Sequence, residues 1–456
     1  MKKLILLMVL APLQMLHAEG YKTAGDGTVY SIASLADIGE TNVIVYEHEP
    51  TPDNVATYEL RSDITIAKGD KFVMDDGIVV RLAKDVTLSI EGEGDFALTN
   101  GSTFIGQEGQ AAVSIDGTTA TTFKYCHFQQ AGLELRSEGA TSVSHCTFRQ
   151  HDGSTAAALY FISAGAESTI EDCIFEDCAK AAIGSAANAS QPLTISGCTL
   201  TNNSTLNSNV PQINITAASK LNIVNCTING NPELTKVGGL GISNFMRYEA
   251  DVTISGCTIS NNRYGIGLVG PAAHITIEDN TLLNNRYETN PMNGGSGISL
   301  YDPYQLTDAR ITGNHIEGSL WGITVIGCKA VNAGRIDVEE SDANYNPGKN
   351  TFKDNGFDGQ LYDLYNNSDI TVYAQGNTWN VSEQTAEQIE TVIFHQNDDP
   401  TLGEVVYMAG TPEGIDSLEA LQSADVGSVF TLQGQRVQGM CRPGLYIVGG
   451  RKVMRR

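Results

Sequence analysis

Positive charge is what this chain has least of. Lys and Arg number 28 against 53 Asp and Glu, and six of the basic residues (Arg436, Arg442, Arg451, Lys452, Arg455 and Arg456) crowd into the last 33 positions. Residues 19–423 hold 20 basic against 52 acidic side chains, a net charge of −32. A body that acidic repels polyanions, so no nucleic-acid partner is expected. Long apolar runs are missing too. Beyond the first residues no stretch approaches the roughly 18 apolar residues of a membrane-spanning helix, and no transmembrane span is expected. Helical periodicity is nearly absent outside that first segment and a turn at Ala386–Thr391. There is no Cys-x-x-Cys pair and no Cys/His cluster, which excludes a zinc site of the usual spacing, and no metal ligands are assigned.

What the chain does have is a short repeated phrase: an apolar residue, two spacers, Cys or Asn, then an apolar residue two places on. Its anchors are Cys126, Cys146, Cys173, Cys198, Cys226, Cys257, Asn280, Asn314, Asn350 and Asn377, separated by 20, 27, 25, 28, 31, 23, 34, 36 and 27 residues. Constant cores with variable gaps are the signature of a solenoid whose rungs are fixed and whose loops are not. Two places after the anchors stand only apolar residues, from Phe128 to Trp379. Four places after the first nine stand Gln130, Gln150, Asp177, Asn202, Gly230, Asn261, Asn284, Gly318 and Asp354, all residues suited to tight bends. A further strand follows with an inward pair, as in Leu133/Leu135, Ile266/Leu268 and Ile323/Val325. Period two and β-branched residues make these strands. Three short strands per turn give an all-β parallel β-helix with three strands per rung.

Six of the nine cysteines lie on the anchor ladder. Side chains stacked at the strand spacing of about 4.8 Å with parallel Cβ vectors do not suit a disulfide, whose Cβ atoms converge to about 3.8 Å. The reading favours buried free thiols, packing as small hydrophobes.

The first residues, with Lys2 and Lys3, an apolar run from Leu4 to about Leu13, and Ala18 before Glu19, read as a signal peptide over 1–18. Residues 19–62 read as an amino-terminal cap, 63–408 as the β-helix, 409–423 as a linker and 424–456 as a small carboxy-terminal β unit.

Across roughly 60–408 the repeat resembles the right-handed parallel β-helix family, the pectin-lyase-like fold; the Ile-x-x-[Cys/Asn]-x-Ile core and the Gly-Ile strands at Gly265, Gly297 and Gly322 carry the likeness. The tail, Phe430–Arg436 followed by Pro443–Val448, Arg451 and Lys452, resembles the sorting domains of type IX secretion cargo. That resemblance implies a Gram-negative carrier, passage through the periplasm, the export machinery as a partner, and a secreted or outer-surface location.

Members of the β-helix family that act on sugars include polysaccharide lyases, hydrolases and epimerases, but no Gly-His-Gly element or basic cluster of theirs is found here. Tyr301-Asp302-Pro303-Tyr304 resembles the Asp-Pro-His element of uronan epimerases with Tyr304 in place of the histidine. The leading expectation is a non-catalytic glycan binder, with a carbohydrate-active enzyme and an adhesin or structural surface solenoid as alternatives.

Outward positions on the third strand include Glu134, Arg136, Ser299, Tyr301 and Thr324. Nine of the seventeen tyrosines fall in 241–380, which directs the ligand-binding assignment to Arg247, Tyr264, Tyr301, Tyr304 and Trp321: aromatics for sugar faces and Arg for hydroxyls. Were there catalysis, Asp302 would serve as acid or base beside Arg263 or Arg286. No cofactor is expected except calcium, for which Asp337, Glu339, Glu340 and Asp342 offer oxygens at a spacing that matches no defined calcium loop, so a solvated loop is favoured.

Overall fold

The computed structural model describes residues 20–46, 55–107 and 111–408, except 190, 217–218, 245, 248, 271 and 289, together with four strands between 429 and 455. The signal-peptide and linker assignments lie outside the described residues.

The chain winds into a parallel β-helix. Fourteen strands, from Tyr21–Lys22 to Ile393–Phe394, stack into one long sheet, and every neighbouring pair in it is parallel. The strands that flank each anchor form two further parallel columns, as Ser168–Glu171 with Leu193–Ser196 and Ile174–Glu176 with Thr199–Thr201. Parallel stacking begins already at Tyr21, paired with Ile64, and Val29, paired with Lys71. Over this first turn the helix Ile32–Ala36 buries Ile32 and Leu35 against the core, with Ser31 as its N-cap. Its neighbour Val43–Tyr46 runs antiparallel to Thr57–Leu60, a departure from the parallel ladder. Such a cover shields the open sheet ends that a solenoid otherwise presents.

In-register pairing puts like on like. Phe104, Phe128, Phe148 and Phe175 stack at centroid separations of 5.2, 4.7 and 4.8 Å, close to the strand spacing. On the anchor column Asn280, Asn314, Asn350 and Asn377 pass amide hydrogen bonds from rung to rung, each Nδ2 donating to the next Oδ1 at 2.9 Å. The cysteine half of the column is buried and unbridged, as are Cys178 and Cys328; Cys441 lies outside the described residues. Burial pushes the Cys178 and Cys328 thiols up to about 12 and Cys146 further still, so almost no thiolate forms near neutral pH. These thiols should stay unlabelled by a maleimide in the native protein and react once it is unfolded in denaturant. Labelling of the folded protein at more than one cysteine, or recovery of native disulfides on the ladder, would contradict the stacked arrangement.

Corners are made by left-handed residues. Directly before each anchor the backbone has positive φ, at Tyr125, His145, Asp172, Gly197, Asn225, Gly256, Asp279, Gly313, Lys349 and Gly376. In the middle of this row Asx and Gly alternate because each Asx side chain occupies the space above the next glycine: a Cβ on Gly256 would lie 2.3 Å from Asn225 Oδ1, and one on Gly313 2.1 Å from Asp279 Oδ1. A second buried column stands five places after the anchors and includes Ala131, His151, Cys178, Asn203, Asn262, Asn285, Ser319 and Asn355. Here too side-chain oxygens cap the previous rung's N–H groups, as Asn285 Oδ1 does for Asn262.

The carboxy-terminal strands Val429–Thr431, Arg436–Val437, Gly444–Val448 and Arg451–Arg455 form an antiparallel sheet of their own. No described helix is long and apolar enough to cross a membrane.

Candidate functional site: the outer face of the long sheet

The interior is filled by paired columns of Ile, Leu, Val and Phe, which leaves the outer face of the fourteen-stranded sheet and the loops beside it for ligands. Cross-strand register fixes what that face carries. Its central column runs Ser89, Ser114, Glu134, Tyr160, Gly184, Asn214, Gly241, Gly267, Ser299, Thr324 and Tyr365. Two parts of this face present chemistry.

The first part includes three of the residues that the sequence reading named. Tyr301 ends the strand Ser296–Tyr301 opposite Val269 and is 41% exposed; Tyr304, in the turn that follows, is 54% exposed. The Arg247 guanidinium lies 3.8 Å from the Tyr304 ring centroid, a cation–π geometry. Arg247, Tyr301 and Tyr304 are therefore all on the surface, with Arg247 and Tyr304 in contact.

The other expected residues are used differently. Tyr264 lies flat against the sheet, its ring filling the space that Cβ atoms on Gly238 and Gly267 would need, 2.1 and 2.7 Å away. Burial raises its hydroxyl to about 12. Trp321 packs into an aromatic cluster, stacked on Tyr365 at 5.0 Å and touching Tyr362 and Phe357, with its indole N–H donated to the Pro291 carbonyl. Both rings brace loops against the sheet.

The catalytic assignment is corrected by the geometry. Asp302 is fully buried, and its carboxylate accepts the backbone N–H groups of Tyr304, Leu306 and Thr307 at 3.0, 2.8 and 2.7 Å. It closes the turn that displays Tyr304 and presents nothing to solvent. Arg263 is held by Glu288 at 3.0 Å, by Asn209 and by the Asn293 carbonyl. Arg286 donates to the Gly356 carbonyl at 3.2 Å. Each arginine ties down a loop, and neither serves Asp302. In the acidic loop Asp337 pairs with Arg335, and Asp342 accepts the Asn344 N–H, which holds its carboxyl below the usual range. Among the described residues no three Asp, Glu, His or Cys side chains converge as metal ligands.

Of the second part the sequence reading named only Glu134 and Arg136, as outward positions, and assigned them no ligand. Near the amino-terminal end, a cleft of about 330 Å³ opens over Thr87, Ser89, Ala112 and Ser114, with Asp116, Glu134 and Arg136 to one side and Ser154 and Thr155 to the other. It exists because the outward residues of two successive strands are small. Arg136 donates to Glu134 at 3.0 Å and lies 3.6 Å from Asp116, whose other oxygen accepts the Ser114 hydroxyl at 3.0 Å. Tyr160 stacks beyond Glu134 on the next rung, its hydroxyl pKa raised by burial and then by the Glu134 charge. The available signal was a run of Ser and Thr at outward positions of consecutive strands.

Coil, register and filled interior define a solenoid of the parallel β-helix class. The chain matches the right handed beta helix region family over residues 65–206 and 204–377, and it belongs to that family. No curated protein matches it. Among solved structures it is similar to the periplasmic alginate epimerase AlgG at 10% identity and a TM-score of 0.41, over 84% of this chain and 83% of that one. A single-substitution mutant of the same epimerase gives 11% identity and 0.43 over the same shares.

Proposed function

We propose that this is an exported β-helix that binds glycans on the outer face of its long sheet. The observation that carries the reading is the exposed trio of Arg247, Tyr301 and Tyr304. Tyr301 and the face of Tyr304 that Arg247 leaves uncovered offer flat apolar surface to sugar C–H groups, while the phenol hydroxyls and the guanidinium offer hydrogen bonds beside it. The acidity of the body favours a neutral glycan, because few local arginines offset the work of bringing a polyuronate close. In physiological salt screening sets in only beyond about 8 Å. The decisive measurement is a glycan array followed by calorimetry on the best hit. Replacing Tyr301 and Tyr304 together by Ala should remove at least tenfold in affinity and leave the melting temperature nearly unchanged, since outward side chains contribute little to the core. Unchanged affinity would move the site elsewhere, and tight binding of pectate or heparin in chelator would defeat the charge reasoning.

Export rests on the amino-terminal segment and the basic tail. Deleting 424–456 should leave a folded β-helix trapped in the periplasm. Arrival of the truncated protein at the cell surface would refute a sorting role.

A further inference from the structure

We propose that the amino-terminal cleft is a second binding site, separate from the Tyr301 surface, for a neutral polyhydroxylated ring such as a sugar unit within a glycan chain. The floor is made of hydroxyls and small side chains, Ser89 and Ser114 at its centre, so it has no apolar pocket to seat a hydrophobic group. Its side carries donors and acceptors in alternation. Arg136 sits between the carboxylates of Glu134 and Asp116, and this shared arrangement leaves guanidinium N–H groups for ligand oxygens and carboxylate lone pairs for ligand hydroxyls. Adjacent hydroxyls on a pyranose ring supply that mixture.

Charge narrows the class further. Two carboxylates against one guanidinium make the cleft net negative, within a body that is itself strongly acidic, so an anionic ligand is disfavoured. A cation is disfavoured because Arg136 already occupies the place between the two acids. Independently of these groups, Ser154 Oγ, on the opposite wall, is enclosed and finds no hydrogen-bond partner in the protein. An enclosed hydroxyl without a partner is uncommon in folded proteins, and rotation about the Ser154 Cα–Cβ bond would bring it to a ligand hydroxyl in the cleft. The volume falls at the lower end of the range of about 300–1,000 Å³ typical of small-ligand sites.

The test uses the full mature chain and four neutral probes, the hexaoses of the xylan, mannan, cellulose and starch series, each titrated by calorimetry. Glu134→Gln removes a carboxylate with little change of shape, and Ser89→Trp fills the floor from an outward position; circular dichroism and melting temperature report whether each variant folds. At least one hexaose should bind the parent protein and lose tenfold or more in affinity in both variants, while the Tyr301→Ala/Tyr304→Ala protein keeps that component. Equal binding by the parent, Glu134→Gln and Ser89→Trp would overturn the proposal, as would the absence of any component that survives loss of the two tyrosines. Because the two surfaces are altered by different substitutions, failure of this site leaves the Tyr301 reading standing, and the reverse holds as well.

Discussion

Asn314→Leu is expected to destabilise the β-helix by about 3–5 kcal/mol. The side chain is buried, and its oxygen accepts both the Asn280 backbone N–H at 3.0 Å and the Asn280 amide at 2.9 Å. Its nitrogen donates to Asn350 Oδ1 and to the Ile277 carbonyl, each at 2.9 Å. Leucine has the same branched skeleton, with bulkier methyl ends and none of these polar groups, so several enclosed donors and acceptors lose their partners at about 1–3 kcal/mol apiece. Partial relaxation keeps the total below the simple sum. Cys146→Ala on the same column should cost clearly less, because a thiol makes only weak hydrogen bonds, such as that to the Ser144 carbonyl at 3.2 Å, and the loss is mainly of packed volume. Chemical denaturation of both variants beside the parent decides the matter. An Asn314→Leu protein within about 1 kcal/mol of the parent would show that the amide column does not fix the rungs.

The anchor column was readable because Cys and then Asn recurs at one place in successive rungs, and stacking favours that recurrence. The column five places on was hidden by its mixed occupants. Ala131, His151, Cys178, Asn203 and Ser319 share burial and a corner, and nothing in their chemistry marks them as one row. His151 illustrates the cost: Nε2 contacts Thr155 at 2.8 Å, Nδ1 has no partner, and burial holds its pKa down at about 4.

Strand parity told which residues leave the core, and Tyr301 is exposed as that parity required. Parity does not tell where a loop then folds. Tyr264 and Trp321 look equivalent to Tyr301 in sequence, yet Tyr264 lies back against the sheet, and Trp321, at the start of its strand, is packed against Phe357, Tyr362 and Tyr365. The glycines at 238 and 267 were the usable clue for Tyr264, since they clear the space its ring fills. Asp302 was misread for a related reason. An Asp before Pro at the end of a strand is first a turn former whose carboxylate satisfies local N–H groups, and three such bonds leave no face for chemistry.

Stability should fall as pH rises from about 4 to about 7, and Asp363 should account for much of the fall. This carboxyl is fully buried beside Tyr362, which packs with Trp321 over the end of the sheet. Burial pushes its pKa up to about 7, against the hydrogen bonds it accepts from the Asn380 N–H at 2.8 Å and the Asn355 amide at 3.2 Å. An acid that holds its proton more tightly folded than unfolded contributes stability that is complete below the unfolded pKa near 3.9 and is lost as pH climbs through the folded value. The slope for one such group is about 1.4 kcal/mol per pH unit, which sums to on the order of 3–4 kcal/mol across the window. Asp363→Asn removes the titration at the expense of one accepted hydrogen bond, so the variant should be weaker than the parent at pH 4.5 and should close or reverse that gap by pH 7.5. Other groups titrate alike in both proteins, and the difference isolates this one. The chain's two tryptophans, Trp321 in the cluster and Trp379 next to Asn380, place the fluorescence signal of unfolding in the rungs concerned. Parallel stability curves for parent and variant across the window would mean that Asp363 is already ionised in the folded protein, and that the corner tolerates the charge through its two donors alone.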